Sequence, residues 1–404
     1  MTRILKILVT GGGTGGHVSP ALATIGTIRQ LAEESQGGSA AWTPEFRYLG
    51  SYGGIEQGLA EAAGVPFTGV QSGKLRRASS VRGLLTLKNF NDALRVPVGI
   101  GQAVAAVRKF RPDVVLATGG YVSVPTVIAA GLLRRPVLIH EQTVQIGLAN
   151  KIAARFALRI ALTFEGAAAE LPPSQRRKTF VSGNPVRPII FGGDRARAVS
   201  RFGFSPGDDS LPTVYVTGGA LGAQSINRAV EAALPDLLTV CRVVHQCGKQ
   251  DGDRMNAVRA ALSSDLQMRY AVVPFVGDEI GDIFALTDLL VGRSGAGTVT
   301  EAAATGLPAL FIPLVPTGGD EQTRNARRSV AAGAAVILPS RELDGPRLLS
   351  EIRALLADPA RLAAMGQAAL TLATPNAARD LAEAVLALAN AGGVKTLGKE
   401  APFG

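Results

Sequence analysis

Short apolar runs separated by longer stretches of helical periodicity recur along almost the whole chain. In the first half, Ile4–Thr10, Phe46–Leu49, Pro66–Val70, Val114–Ala117, Val137–His140 and Arg159–Leu162 read as buried strands. In the second half the same rhythm returns at Thr213–Thr217, Arg242–His245, Tyr270–Pro274, Asp288–Val291, Ala309–Ile312 and Ala335–Leu338. Strands that alternate with helices predict parallel sheets, because a parallel pair needs a crossover long enough to hold a helix. The pattern loosens between about 185 and 210, through Pro188, Gly192-Gly193 and Ser205-Pro-Gly-Asp-Asp-Ser-Leu-Pro212. The expected organisation is therefore two doubly wound α/β lobes, 1–187 and 188–375, followed by an Ala/Leu-rich helix and a frayed tail over 376–404. Val114–Leu133 carries no charge, but Gly119, Gly120, Pro125 and Gly131 break it into strand, loop and helix, so no membrane span is expected.

Glycine punctuates the strand ends. Thr-Gly-Gly follows an apolar strand at Thr10-Gly11-Gly12, Thr118-Gly119-Gly120 and Thr217-Gly218-Gly219. Two such loops in one half and one in the other suggest similar lobes facing a shared cleft. The first continues as Gly11-Gly-Gly-Thr-Gly-Gly-His17, with a helix expected from about Ser19, which is the phosphate-cradling start of a doubly wound domain. Gly11, Gly13 and Gly16 satisfy the dinucleotide fingerprint. The following strand, however, ends in Gly50 and Ser51, where that fingerprint calls for an acid to hold a ribose, and this weighs against a nicotinamide oxidoreductase.

The densest chemistry lies between Gly292 and Asn325. A buried strand leads into Arg293-Ser-Gly-Ala-Gly297, and a helix over Thr298–Thr305 is closed by Gly306, so bare N–H groups and a helix dipole point at one spot suited to a phosphate. Glu301 lies one turn in. Its two oxygens could take both hydroxyls of a ribose; equally, Thr298-x-x-Glu301 is a capping box that needs no ligand. Both readings stand on sequence alone.

Composition narrows the class. The 404 residues include 48 glycines without a three-residue repeat, which suits a soluble α/β protein rather than collagen or a disordered chain. Cys241 and Cys247 match no zinc or redox spacing, and predict free thiols in a reducing, cytosolic setting. The amino terminus reads as a strand rather than a signal peptide. The net charge of +10 is concentrated: Lys74, Arg76, Arg77, Arg82, Lys88, Arg95, Arg108, Lys109 and Arg111 face one acid, Asp92, and are interleaved with Leu75, Leu84, Leu85, Leu87, Phe90 and Leu94. Such a stretch suits anionic lipid head groups. A nucleic-acid surface is disfavoured by the few aromatics, and an ordinary solvated helix face remains open.

Taken in order, Gly12-Gly-Thr-Gly-Gly-His-Val18, Gly119-Gly-Tyr-Val-Ser123, His140-Glu-Gln142, Gly183-Asn-Pro-Val-Arg187, Arg293-Ser-Gly-Ala296 with Glu301, and Asp320 with Gln322 and Asn325 resemble the MurG family of UDP-N-acetylglucosamine transferases. The motifs run from about residue 4 to 375. The resemblance implies a GT-B fold and an inverting displacement at the sugar C1 that uses neither metal nor other cofactor. It implies UDP-GlcNAc as donor and, as acceptor, the 4-hydroxyl of MurNAc-pentapeptide on a diphosphoryl polyprenol. The enzyme would sit peripherally on the cytoplasmic face of the plasma membrane and touch anionic lipid, not nucleic acid. Other cell-wall enzymes are further candidate partners. Motif by motif, Thr14, Gly15, Gly16, Arg187, Val276 and the segment Ala296, Gly297, Thr298, Val299, Thr300 and Glu301 would meet the nucleotide, and Gln322 and Asn325 the sugar. Two positions depart from the family: Ala220-Leu221 stands where Ser-Gln is usual, and Thr143 where Asn is usual. Ala220 and Thr143 remain candidate contacts through their backbone. Of three histidines, His17 is the candidate base for the acceptor hydroxyl, the alternative being a hydrogen bond to an acceptor phosphate or sugar; Glu141 is the second candidate. Another UDP-sugar enzyme of this fold, a glycolipid glycosyltransferase or an epimerase, is the competing function.

Overall fold

In the computed structural model, residues 3–35, 41–73, 87–204, 210–219, 221–314 and 320–393 are described, with side chains from residue 96 onward in the helix Leu87–Phe110 and through residue 391 in the last helix. The chain forms two compact units, Met1–Pro185 with Asn376–Gly404, and Val186–Pro375.

The first unit holds strands β1 (Arg3–Thr10), β2 (Trp42–Ser51), β3 (Phe67–Val70), β4 (Val114–Ala117), β5 (Val137–Glu141), β6 (Arg159–Leu162) and β7 (Thr179–Val181). They make one parallel sheet in the order β3-β2-β1-β4-β5-β6-β7. The second unit holds β8 (Thr213–Thr217), β9 (Arg242–Gln246), β10 (Tyr270–Val273), β11 (Leu289–Gly292), β12 (Ala309–Phe311) and β13 (Ala335–Ile337) in the order β10-β9-β8-β11-β12-β13. Both orders reverse direction next to their first strand, between β1 and β4 and between β8 and β11. That reversal opens a crevice at the carboxyl ends of the strands, the place where doubly wound sheets take ligands. The glycine loops after β1 and β4 meet at one reversal, and those after β8 and β11 at the other.

Strand residues are buried on both faces. Leu8, Val115 and Ile139 pack with Val107 and Val127 on one side of the first sheet, while Ile7, Val9, Leu116 and Leu138 pack with Ala21, Ile25 and Ile28 on the other. This two-sided burial is why the strands read as continuous apolar runs rather than alternating ones. The last helix, Ala377–Gly393, lays Leu381, Ala382, Val385 and Ala389 on that second face, beside the helix Gly15–Ser35. All four are fully buried, and each large apolar side chain so placed contributes roughly 1.5–3 kcal/mol. The final segment therefore belongs to the first sheet.

The strand β7 is absent from the hydrophobic pattern because it is a three-residue edge strand with half-exposed or exposed residues. Two helix starts also differ from the sequence reading. The first helix begins at Gly15 rather than Ser19, with Pro20 inside it, so His17 lies in its first turn and not in the loop. The helix in the second unit begins at Ala296 rather than Thr298, with Gly295 at its N-cap.

Candidate functional site

At the first reversal, β1 and β4 run side by side with Thr10 opposite Ala117, so their loops are stitched together. The Gly12 N–H donates to Gly119 O at 3.3 Å and the Thr118 N–H to Thr10 O at 2.9 Å. Gly120 approaches so closely that a Cβ there would lie 2.1 Å from Gly12 O, so no other residue fits. The Thr118 hydroxyl donates to His17 O at 2.6 Å, and the Tyr48 hydroxyl to Gly11 O at 2.7 Å. Gly13 takes φ +80° with the Tyr121 ring beneath it. Thr14 Oγ1 and His17 Nδ1 are 2.8 Å apart. Loss of hydration pushes the His17 imidazole down to about 4, against the opposing pull of the Glu56 charge and the Gly12 backbone. At neutral pH it is therefore uncharged and able to accept a proton. The exposed Thr14 and half-buried Gly15 and Gly16 border it.

The His140-Glu141-Gln142 motif does different work. His140 is fully buried; it bonds Gly183 O through Nε2 at 2.9 Å, and its Nδ1 lies 3.2 Å from the Gln142 amide. That amide also donates to Thr118 O at 2.5 Å, tying the β5 end to the second glycine loop. Glu141 is 3 % exposed, and both of its oxygens are taken. Oε1 accepts from the Thr143 N–H at 3.1 Å and hydroxyl at 2.8 Å, and Oε2 from the Gly147 N–H at 2.8 Å and Asn150 Nδ2 at 2.9 Å. Burial raises its pKa against these bonds. These bonds make Glu141 shape the loop from Gln142 to Gly147, and acting as a base would require it to give one of them up. The Thr143 side chain is spent in the same loop, on Glu141 and on Gln145 O at 2.5 Å, so it has no hydroxyl hydrogen left for a ligand.

At the second reversal, the Arg293 N–H donates to Thr217 O at 3.2 Å, and the Arg293 guanidinium binds Ile312 O, Pro313 O, Ser340 Oγ and Ser225 Oγ. Ser294 is fully buried; its hydroxyl donates to Gln322 O at 2.8 Å and its carbonyl accepts from Asn325 Nδ2 at 3.1 Å. Gln322 accepts from the Leu314 N–H at 2.9 Å through Oε1. Gln322 and Asn325 are thus brought to the loop that precedes the helix Ala296–Thr305. Asn325 Oδ1 is buried and has no partner among the described residues.

That helix starts without a side-chain cap. Gly295 occupies the N-cap in an extended conformation, Thr298 is the third helical residue and Glu301 the sixth. The capping box is therefore not formed: Thr298 is inside the helix and cannot present its hydroxyl to its own N-terminus. Gly295 has no side chain with which to cap the first N–H groups, at Ala296, Gly297 and Thr298, and no side chain among the described residues bonds them. Gly306 closes the helix with φ +68°. Burial raises the Glu301 pKa while the charge of Arg187 opposes the shift. Arg187 Nε is itself buried and unpartnered among the described residues. Val276 and Val299 pack in the same apolar cluster, so Val276 can meet a ligand only through its backbone or methyl edge. Gln246 Oε1 accepts from Tyr215 and Thr217 hydroxyls, both at 2.7 Å, and Thr217 Oγ1 accepts from the Gly219 N–H at 3.0 Å, which sets the third glycine loop. Ala220 falls outside the described residues, as do Lys74, Arg76, Arg77 and Arg82.

Sequence reasoning missed Glu56 and Asn150, and gave Ser294 no role beyond its place in the Arg293-Ser-Gly-Ala296 motif. The crowding of Gly50, Gly53 and Gly54 before Glu56 was the available signal for the first; Asn150 and Ser294 act through carbonyls and loops that no spacing reveals.

Residues 7–162 match the glycosyltransferase family 28 N-terminal domain, and residues 213–385 the glycosyltransferase family 28 C-terminal domain. A Bacillus anthracis protein named UDP-N-acetylglucosamine–N-acetylmuramyl-(pentapeptide) pyrophosphoryl-undecaprenol N-acetylglucosamine transferase 2 is 38% identical over 87% of this chain and 91% of its own length. The transferase of the same name, without the numeral, from Nocardioides sp. is 38% identical over 95% and 98%. Among solved structures, Acinetobacter baumannii MurG superposes with a TM-score of 0.66 at 26% identity, covering 95% of this chain and 99% of that one. A UDP-GlcNAc 2-epimerase from Neisseria meningitidis bound to UDP-GlcNAc reaches a TM-score of 0.60 at 12% identity over 96% and 100%, a likeness of fold alone.

Proposed function

The chain belongs to glycosyltransferase family 28, and we propose on that premise that it moves N-acetylglucosamine from UDP-GlcNAc to the 4-hydroxyl of undecaprenyl-diphosphoryl-MurNAc-pentapeptide, a step of peptidoglycan synthesis. The observation that carries the donor side is the start of the helix Ala296–Thr305, which no side chain among the described residues caps, with Glu301 and an Arg187 Nε unpartnered among the same residues beside it. A diphosphate supplies the missing acceptors for those N–H groups, and Arg187 neutralises its charge as the leaving group departs. Glu301 holds the ribose hydroxyls. Gln322 and Asn325, both bound to Ser294 of the loop, with Gln322 also accepting from the Leu314 N–H, border the sugar.

The acceptor oxygen attacks C1 from the face opposite the UDP oxygen. The new C1–O bond forms as the C1–O bond to the diphosphate breaks, the configuration inverts, and the hydroxyl proton passes to neutral His17. A transfer assay with UDP-GlcNAc and a short-chain lipid I analogue tests the reading. Formation of the disaccharide with release of UDP is expected; epimerised UDP-sugar, or nucleotide binding without transfer to this acceptor, would overturn it.

We place the reaction at the cytoplasmic membrane surface, with peripheral attachment. No helix among the described residues is long and apolar enough to cross a membrane, and the basic, leucine-bearing stretch from Lys74 to Arg111 supplies the alternative means of attachment. Each basic side chain near an anionic surface contributes about 1 kcal/mol, so several give reversible binding. Changing Lys74, Arg76, Arg77 and Arg82 together to serine is expected to abolish co-sedimentation with anionic vesicles while leaving UDP affinity intact. Unchanged sedimentation would sink this assignment.

A further inference from the structure

The end of β2 holds no acid where the dinucleotide fingerprint calls for one, but Glu56 follows five residues later and turns back into the first glycine loop. Glu56, on the short helix Ile55–Ala62, is fully buried. Its Oε2 accepts from the Gly13 N–H at 3.2 Å, and its Oε1 from the Ser51 N–H at 2.8 Å and the Ser51 hydroxyl at 2.6 Å. Three donors converge on one carboxylate, and no ion pair to it occurs among the described residues. Three glycines make room for it. A Cβ on Gly12 would lie 2.5 Å from Glu56 Cδ, one on Gly50 2.6 Å from its Cγ, and one on Gly54 2.3 Å from its Oε1.

We propose that Glu56 is a positioning residue of the transfer reaction. Its carboxylate fills the part of the first glycine loop where a nucleotide phosphate would otherwise bind, and so fixes the turn that carries His17. In doubly wound folds the glycine loop is commonly ordered by the ligand phosphate it binds. Here the protein supplies the anion. Gly13 is held at φ +80° from one side by Glu56, Gly11 from the other by Tyr48, and the helix that starts at Gly15 sets His17 three residues after Thr14. The consequence is twofold. Gly13 N–H is unavailable to a nucleotide, which leaves nucleotide binding to the second unit, and the His17 turn is ordered before substrate arrives. Because each carboxylate oxygen accepts from a backbone N–H, an amide has no orientation that fits: in glutamine the NH2 would face the N–H of Gly13 or that of Ser51.

This assignment rests on the proposed transfer, and its test separates the two. Full-length Glu56→Gln and Glu56→Ala proteins are compared with the parent for turnover, KM for UDP-GlcNAc, UDP affinity by titration, and amide exchange of the 11–17 segment. Turnover is expected to fall about 100-fold in both, the effect of displacing a reacting group by about 1 Å, while KM for UDP-GlcNAc and UDP affinity stay at parent values. Exchange of the 11–17 segment accelerates in both. Added formate, which can re-enter the cavity left by alanine but not one filled by glutamine, restores turnover several-fold and slows exchange in Glu56→Ala alone. Parent-like turnover in folded Glu56→Gln, a loss confined to KM, or no response of Glu56→Ala to formate would overturn the proposal. Should alanine not fold, the turnover split and exchange of the glutamine protein decide. Should the parent itself fail to transfer, the reaction assignment falls, and formate-sensitive exchange still reports whether Glu56 holds the loop.

Discussion

Replacing His17 with alanine is expected to lower turnover by on the order of 100-fold or more while leaving UDP affinity at the parent value, because a base acts on the acceptor hydroxyl and not on the nucleotide. The surroundings keep this histidine in the unprotonated form that a base needs. Its neighbours are a threonine hydroxyl, glycine backbone and the buried Glu56, and loss of hydration drives its pKa down from 6.5 to about 4. A group whose folded pKa is lowered is deprotonated over the whole range above that value. The imidazole is thus neutral at pH 7, and the acid limb that it imposes on kcat/KM belongs at about pH 4, with no change through neutral pH. A fall in activity centred at the ordinary histidine value would point to another group, and turnover within a few-fold of the parent in His17→Ala would remove His17 as the base. His140 and His245 do not compete for the role. Both are buried, the first bonded to Gly183 O and the second held between Tyr270 and Asn227.

Most strands were legible because parallel strands buried on both faces leave uninterrupted apolar runs. Val114–Ala117, Arg159–Leu162 and Thr213–Thr217 appear in the structure with the limits that the pattern sets. β7 was not, since its three residues pair at an edge and bury little. The return of the helix Ala377–Gly393 to the first sheet was equally invisible. Periodicity announces that Leu381, Val385 and Ala389 share a face, but not which sheet that face covers.

The chemistry was legible where it is local. Glycine loops and the residues after them lie at the strand ends where sheet order reverses, so the sequence positions of His17 and Arg293 already point to the candidate site. What escaped was reach. Glu56 lies after the position that the dinucleotide pattern inspects, and turns back into a loop forty-three residues upstream. Glu141 is the second candidate base on sequence, which does not show the two side chains and two backbone amides that its carboxylate accepts from. In both cases the carboxylate is bound by backbone N–H groups, whose positions depend on loop conformation rather than on residue type.

The same distinction decides what Glu301 does. On sequence it is either the fourth member of a capping box or a ribose ligand, and these make opposite forecasts for folding. Because Gly295 is the N-cap and Glu301 the sixth residue of the helix, alanine removes no cap. It also replaces a residue whose ionisation is opposed by burial. Glu301→Ala is therefore expected to melt at or above the parent temperature, where loss of a working cap would have destabilised by about 1 kcal/mol. Binding should move the other way. If a charged carboxylate holds the ribose diol, Glu301→Gln keeps hydrogen bonding without charge and should weaken UDP binding by roughly 1–2 kcal/mol, the gap between charge-assisted and neutral bonds. Alanine loses the bonds altogether and should bind more weakly still. Calorimetric titration of UDP into each variant, beside a melting curve, reads both quantities. Parent-like UDP affinity in folded Glu301→Ala would leave the ribose without this ligand. A drop in melting temperature with affinity unchanged would restore a structural role at the helix start.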